Sequence, residues 1–321
     1  MKKNEKLLFI GIIVTGAILP WIVSSEWRMV LTIFFYYAIL SISWNIVFGY
    51  AGLFSYGHVA FPAIGGYVSA ILATRMGLSP FGGLLMGGIA AGIIGLLIGL
   101  LLLRVRGFYL CLITWAFAEV LNVIIKAEES LTGGTGGFVT QSFFNGPSAD
   151  LYGYFLGLFL MLSVFVVSAT IFHSRAGLYL FSIRDDIDAA ESMGINTRLW
   201  KVLGFAIGSL LAGFAGAFYA HYFGLIDPTI GGLDEMGKVC LMVIIGGVGS
   251  LFGPLLGALF VVVASEIIRS WVGNLSMFIF AAIMILTVRF VRGGFIQILQ
   301  ALAPNFKKGY SGMTPDPKKS V

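Results

Sequence analysis

Nine apolar stretches, most of them about 17 to 23 residues long, limit what this chain can fold into, because a helix of about 20 apolar residues crosses a bilayer. They cover residues 7–23, 29–48, 59–74, 81–103, 108–125, 151–172, 202–223, 239–268 and 275–288. The eighth is too long for one untilted span and carries Gly246, Gly247, Gly249, Gly253 and Pro254 at its middle. It therefore divides at Ser250 into a half-helix and a full one. The expected fold is an all-α membrane protein, a polytopic bundle of about ten transmembrane segments with some broken helices. Composition agrees: only 11% of the residues are charged and 58% are hydrophobic, against roughly 25% charged in a soluble domain.

Charge sets the expected orientation, since short basic loops stay in the cytoplasm. With the N-terminus inside, 15 of the 20 Lys and Arg residues are cytoplasmic, and Arg28, Arg75, Lys126, Lys238 and Arg269 are outside. Leaving 239–268 undivided would send the basic C-terminal tail outside, which is a second reason to split it. Residues 1–303 are read as one transmembrane domain with both termini cytoplasmic. Residues 304–321, rich in Lys, Gly, Ser and Pro, are read as a disordered cytoplasmic tail. Lys2, Lys3 and Lys6 precede the first stretch as in a signal peptide, but no small-residue cleavage pattern follows Pro20, Trp21 and Ile22, so it is expected to remain as the first helix. The net charge of +5 does not point to nucleic acid. The basic residues stand singly or in pairs between apolar runs, where membrane lipid supplies the nearest phosphates.

Signs of catalysis are weak. Gly232 to Lys238 follows a phosphate-binding loop as far as its Gly-Lys, yet Val239 stands where Ser or Thr would ligate magnesium, and the segment lies on the outer face. His58, His173 and His221 show no metal-ligand spacing, and Cys111 and Cys240 sit in apolar stretches without a nearby His or second Cys. No metal, disulfide or cofactor is implied.

Two stretches interrupt their spans. Residues 49–66 read Gly-Tyr-Ala-Gly-Leu-Phe-Ser-Tyr-Gly-His-Val-Ala-Phe-Pro-Ala-Ile-Gly-Gly, and residues 246–253 are similarly glycine-rich. Each holds a Gly-x-x-Gly with a nearby Leu-Phe, which hints at an internal repeat. Broken backbone at membrane depth survives only where protein or a water-filled cavity satisfies it. Both stretches therefore either line a pathway or pack helices closely through small residues. On the first reading Gly49, Gly52, Ser55, Tyr56, His58, Gly247 and Gly249 border a translocation path. Glu119, in the middle third of its span, either hydrogen-bonds to a neighbouring helix or joins that path. Glu266 is expected to pair with Arg269 at i, i+3.

The outer loop 126–150 is rich in Gly, Ser and Thr and faces whatever delivers or receives solute. The inner loop 173–201 is expected to be helical. Within it, residues 184–196 read Arg-Asp-Asp-Ile-Asp-Ala-Ala-Glu-Ser-Met-Gly-Ile-Asn, a short amphipathic helix with acids in its first turn and Gly194 at its stop. Ala189 and Ala190 leave its surface shallow, so that another protein can approach its backbone.

Asp188-Ala189-Ala190, three residues and then Gly194 resemble the EAA loop of ABC importer permeases, with Asp where Glu is usual. Residues 49–60, 104–110 with Arg104, Arg106 and Gly107, Phe117-Ala118-Glu119, 185–196, 212–217, 246–254 and Arg292-Gly293 follow one another as in the branched-chain amino acid ABC transporter permease family. This resemblance covers residues 41–294, and the 104–109 element is similar to the longer of that family's two paralogous permeases. It implies that Asp185, Asp188, Ala189, Ala190, Gly194 and Ile195 couple the chain to an ATP-hydrolysing subunit. It further implies a second homologous permease subunit, two cytoplasmic ATP-binding subunits and an extracytoplasmic solute-binding protein in the bacterial cytoplasmic (inner) membrane. The implied substrates are small polar solutes: leucine, isoleucine and valine by default, with urea and short amides carried by close relatives. Such a chain needs no catalytic residue or cofactor, and the expected mechanism is alternating access driven by the ATPases. The rival is a stand-alone secondary transporter with Glu119 as its ion site. An intramembrane enzyme would need an acid pair, a nucleophile and base, or a metal cluster, and the sequence offers none.

Overall fold

A computed structural model describes residues 3–101, 105, 107–272 and 285. The predicted span 275–288 apart from residue 285, the tail 304–321 and the motif residues Arg104, Arg106, Arg292 and Gly293 lie outside them. In chain order the helices are α1 (Lys3–Ile22), α2 (Ser25–Trp44), α3 (Ala60–Met76), α4 (Pro80–Leu101), α5 (Phe108–Ala127) and the single turn α6 (Glu129–Thr132). They continue with α7 (Ala149–His173), α8 (Arg175–Asp185), α9 (Ile187–Ser192), α10 (Thr197–Phe223), α11 (Leu233–Gly246) and α12 (Gly253–Val272). Each apolar stretch up to residue 268 has its helix, and six of the described helices are long and apolar enough to cross a membrane. The chain is an all-α, multi-pass membrane protein. The eighth stretch divides as expected, with residues 247–252 parting the 14-residue α11 from α12.

The bundle turns small residues inward and large ones outward, because lipid already solvates Leu and Ile and close packing is left to hold helices together. In α4 the buried positions include Gly83, Gly87, Gly88, Gly92, Gly95 and Gly99. Its exposed face is Leu85, Met86, Ile89, Ile93 and Leu97. Helices α3, α4 and α10 thereby cross at backbone contact: a Cβ on Gly216 of α10 would overlap the carbonyl of Pro62 in α3.

Helix α2 is the central post, buried along its second half, with α7, α10 and α12 packed around it. Its last turn widens into a π-helix, Asn45–Tyr50, a form that inserts one residue per turn and recurs at functional sites. Helix α1 packs on α7 through stacked Phe9 and Phe165 (5.3 Å between centroids), Glu5 against His173 (3.1 Å) and Tyr154 Oη donating to Gly16 O (2.8 Å). Tyr154→Phe removes only that bond and should lower stability by about 0.5–1.5 kcal/mol in a thermal unfolding assay.

One end of the bundle carries α8, α9 and the π turn of α2. The other carries an antiparallel ribbon that the sequence did not announce, β1 (Phe138–Val139) against β2 (Leu225–Ile226), with Phe138 opposite Ile226. His221 secures it from inside: Nδ1 donates to Gln141 O (2.6 Å), which leaves Nε2 to accept from Ser69 Oγ (2.8 Å).

The inner loop is helical but not as one helix over residues 184–196. Asp186 is extended (φ −158°, ψ 113°), and its Oδ1 accepts from Asp188 N (2.9 Å) and Ala189 N (3.0 Å). A carboxylate that caps two free N–H groups starts a new helix there and ends the old one.

Candidate functional site

The two glycine-rich stretches meet. Asn45, buried in the π turn, donates through Nδ2 to Ser250 O (3.0 Å) and accepts through Oδ1 from Gly249 N (2.8 Å). One amide thus satisfies both polar groups of a broken helix more than 200 residues away. The approach is so close that a Cβ on Gly49 would stand 2.7 Å from Gly249 N. On the far side of the break Ser250 Oγ donates to Gly247 O (2.6 Å) and accepts from Gly253 N (3.1 Å), which opens α12.

This junction divides the residues assigned to a path. Gly49, Gly247 and Gly249 are buried where the two backbones approach. Ser55 and His58 are also buried: Ser55 O accepts from Trp44 Nε1 (2.8 Å), and His58 Nε2 bonds Ser43 Oγ (2.9 Å). Gly52 and Tyr56 remain accessible. Gly52 borders a cavity of about 410 Å³ beside the junction, with Phe54, Cys111, Arg184 and Lys201 on its walls. Tyr56 lies between α5 and α11. Its N–H donates to Thr114 Oγ1 (3.1 Å), and its hydroxyl is 3.8 Å from where a Gly237 Cβ would be.

Glu119 is on the outside of α5. The buried positions of that helix, Leu110, Thr114, Ala118, Asn122 and Ile125, fall on one face. Asn122 uses that face to donate to Pro228 O (2.9 Å). Glu119 points away with Trp115 and Val123, and among the described residues it makes no hydrogen bond or ion pair. Of the two alternatives for Glu119, a bond to a neighbouring helix is not made within the described chain. Glu266 does pair with Arg269, at 2.7 Å.

The residues assigned to ATPase coupling form a small projection. Gly194 takes φ +78°, and α9 closes with Gly194 N donating to Glu191 O (2.9 Å) and Ile195 N to Ala190 O (3.1 Å), the two bonds of a Schellman stop. Asp185, Asp188, Ala189 and Gly194 are exposed, Ile195 is half-buried, and Ala190 is buried at 4% exposure. The shallow outer surface expected of both alanines therefore belongs to Ala189, while Ala190 roots the helix.

Asn45 and Arg184 did not stand out in the sequence as site residues. Arg184, near the end of α8, donates through Nη1 to Gly49 O (2.9 Å), so the loop that carries α9 touches the junction directly. The available signal for Asn45 was an amide near the end of a span otherwise free of amides and charges. Arg184 offered none, because its partner is a backbone carbonyl.

Comparison with known proteins agrees with this architecture. Residues 28–288 match the family described as branched-chain amino acid transport system, permease component. The chain is 30% identical to the high-affinity branched-chain amino acid transport system permease protein LivM of Escherichia coli K12, over 88% of this chain and 73% of that protein. It is 27% identical to LivH of the same strain over 74% of this chain and 83% of LivH, and 24% identical to a probable LivM of Methanocaldococcus jannaschii over 87% and 96%. No solved structure matches it. By the extent of these matches, the chain belongs to the permease-component family of branched-chain amino acid transport systems, and within it to the longer, LivM-like subunits.

Proposed function

We propose that this chain is the longer permease subunit of an ABC importer for branched-chain amino acids in the bacterial cytoplasmic membrane, and that separate ATPase subunits drive its alternating access by gripping α9. The observation that carries this reading is the shape of α9: a capped knob whose exposed face includes Ala189, Gly194 and Met193, the last 83% exposed. A large apolar side chain so far from cover is a natural anchor for a partner. With both termini cytoplasmic, the orientation that the basic residues favour, residues 1–303 form the transmembrane domain and α9 faces the ATPases. The ribbon end then faces the solute-binding protein.

The solute route is assigned to the side where Tyr56 lies between α5 and α11. A carboxylate facing hydrocarbon costs several kcal/mol, so the Glu119 face of α5 is covered by the second permease subunit or by the water of the path. The relatives reported above are named for branched-chain amino acids, which favours leucine, isoleucine and valine over urea.

Gly194 offers a clean test, because nothing lies within 4 Å of a Cβ built there. Gly194→Trp strains one left-handed residue, at a cost of about 1–2 kcal/mol, and leaves the membrane bundle intact. It should keep the yield of folded permease while co-purification of the ATPases and leucine uptake both fall at least about tenfold, equivalent to 1.4 kcal/mol of docking energy. Ala189→Trp should act alike, whereas Ala190→Trp should damage folding. Full uptake by purified wild-type chain with no ATPase present would return the stand-alone carrier to first place.

A further inference from the structure

We propose that Arg184 is a positioning residue that carries movement of α9 to the junction of the two broken helices, and so couples the energy-supplying partner to the path. The inference rests on the importer reading above and names the link inside this chain.

Arg184 stands two residues before the Asp186 cap of α9, and its side chain is 12% exposed. Its guanidinium works in two directions. Nε and Nη2 donate to Asp185 Oδ1 at 3.0 and 2.9 Å, and Nη1 donates to Gly49 O at 2.9 Å. Its Cζ lies 5.1 Å from the centroid of the Phe181 ring. Phe181 packs edge-on to Tyr50 (5.2 Å) and Phe172 (5.5 Å), which fixes α8 against the end of α2 and the end of α7.

The receiving surface is made of glycine where Arg184 needs room. At Gly52 (φ +71°) a Cβ would stand 3.0 Å from the Arg184 Cα and Cγ. At Gly249 (φ +75°) a Cβ would stand 2.7 Å from Nη1. Both backbones also have a conformation that L side chains rarely adopt. The carbonyl that takes the bond belongs to Gly49, whose neighbour across the junction is Gly249. The path of force is short: Asp186 cap, Arg184 fork, Gly49 carbonyl, Asn45 amide, Gly249 and Ser250. Asp185 alone separates the cap from Arg184, and Arg184 is hydrogen-bonded to Gly49. Gly49, in the π turn, lies in packing contact with Asn45 and Gly249, and Asn45 is hydrogen-bonded to Gly249 and Ser250, so a shift of α9 is passed to the junction. The planar guanidinium holds Asp185 and Gly49 together; an ammonium on a flexible stem holds either less rigidly.

The test uses the complete importer in proteoliposomes. For Arg184→Ala the ATPases should still co-purify and hydrolyse ATP at close to the wild-type basal rate, while leucine taken up per ATP falls at least about tenfold. Arg184→Lys should fall by about threefold. An Arg184→Ala complex with uptake per ATP within about twofold of wild type overturns the proposal. A second measurement needs no variant: hydrogen exchange on the wild-type complex with and without a trapped ATP analogue. Exchange at residues 49–53 and 247–251 should change together on trapping, and an unchanged rate in either segment overturns the proposal. Failure of the importer reading is seen separately, as wild-type uptake that needs no ATP.

Discussion

Asn45→Ala should produce a chain that still enters the membrane but unfolds more easily by about 2–6 kcal/mol and loses most of its uptake. The size follows from what is left behind. Ser250 O and Gly249 N lie in a break where no helix supplies a partner, and both are buried. Each buried group left unsatisfied costs about 1–3 kcal/mol. Asn45→Asp should fare no better, because a carboxylate accepts from Gly249 N but places an acceptor against Ser250 O. Thermal unfolding in detergent together with uptake checks both. A stability change below about 1 kcal/mol for Asn45→Ala would mean that something else holds the two breaks together.

Gly216→Leu should be more severe and should leave no monodisperse protein on size-exclusion chromatography. The first carbon of any side chain there overlaps the Pro62 carbonyl, and a backbone atom inside a helix cannot turn aside as a side chain can. Overpacking usually costs about 1–3 kcal/mol where neighbours can rearrange, and more where they cannot. Gly11→Ala is the matched control: nothing lies within 4 Å of its Cβ, and it should be neutral or stabilise α1 by up to about 1 kcal/mol. Equal damage from both would show that membrane insertion, not the α3–α10 crossing, sets the outcome.

The helices were legible because bilayer thickness imposes a length that an apolar run must match, and the division at Ser250 was legible because glycine and proline weaken a helix wherever they cluster. The order of motifs also carried the family. The sequence was silent on what closes the breaks, since Asn45 and Arg184 both bind backbone groups, which any residue presents. It misled on the inner loop for a related reason. Asp-Asp-Ile-Asp suits the first turn of a helix, and the second of those acids proved to be the cap that starts α9. The β1–β2 ribbon escaped because two residues per strand carry no alternation to detect. Glu119 was marked as unusual, but only the packing of α5 showed that it lies outside the buried face to which Asn122, one turn on, belongs.

A helix of six residues has no stability of its own in water. In α9 the Asp186 carboxylate closes one terminus, Gly194 closes the other, and Thr197 Oγ1 clasps Glu191 Oε1 at 2.5 Å. The segment is therefore already in its final form before anything touches it. A protein that seizes it loses little affinity to freezing a loose peptide.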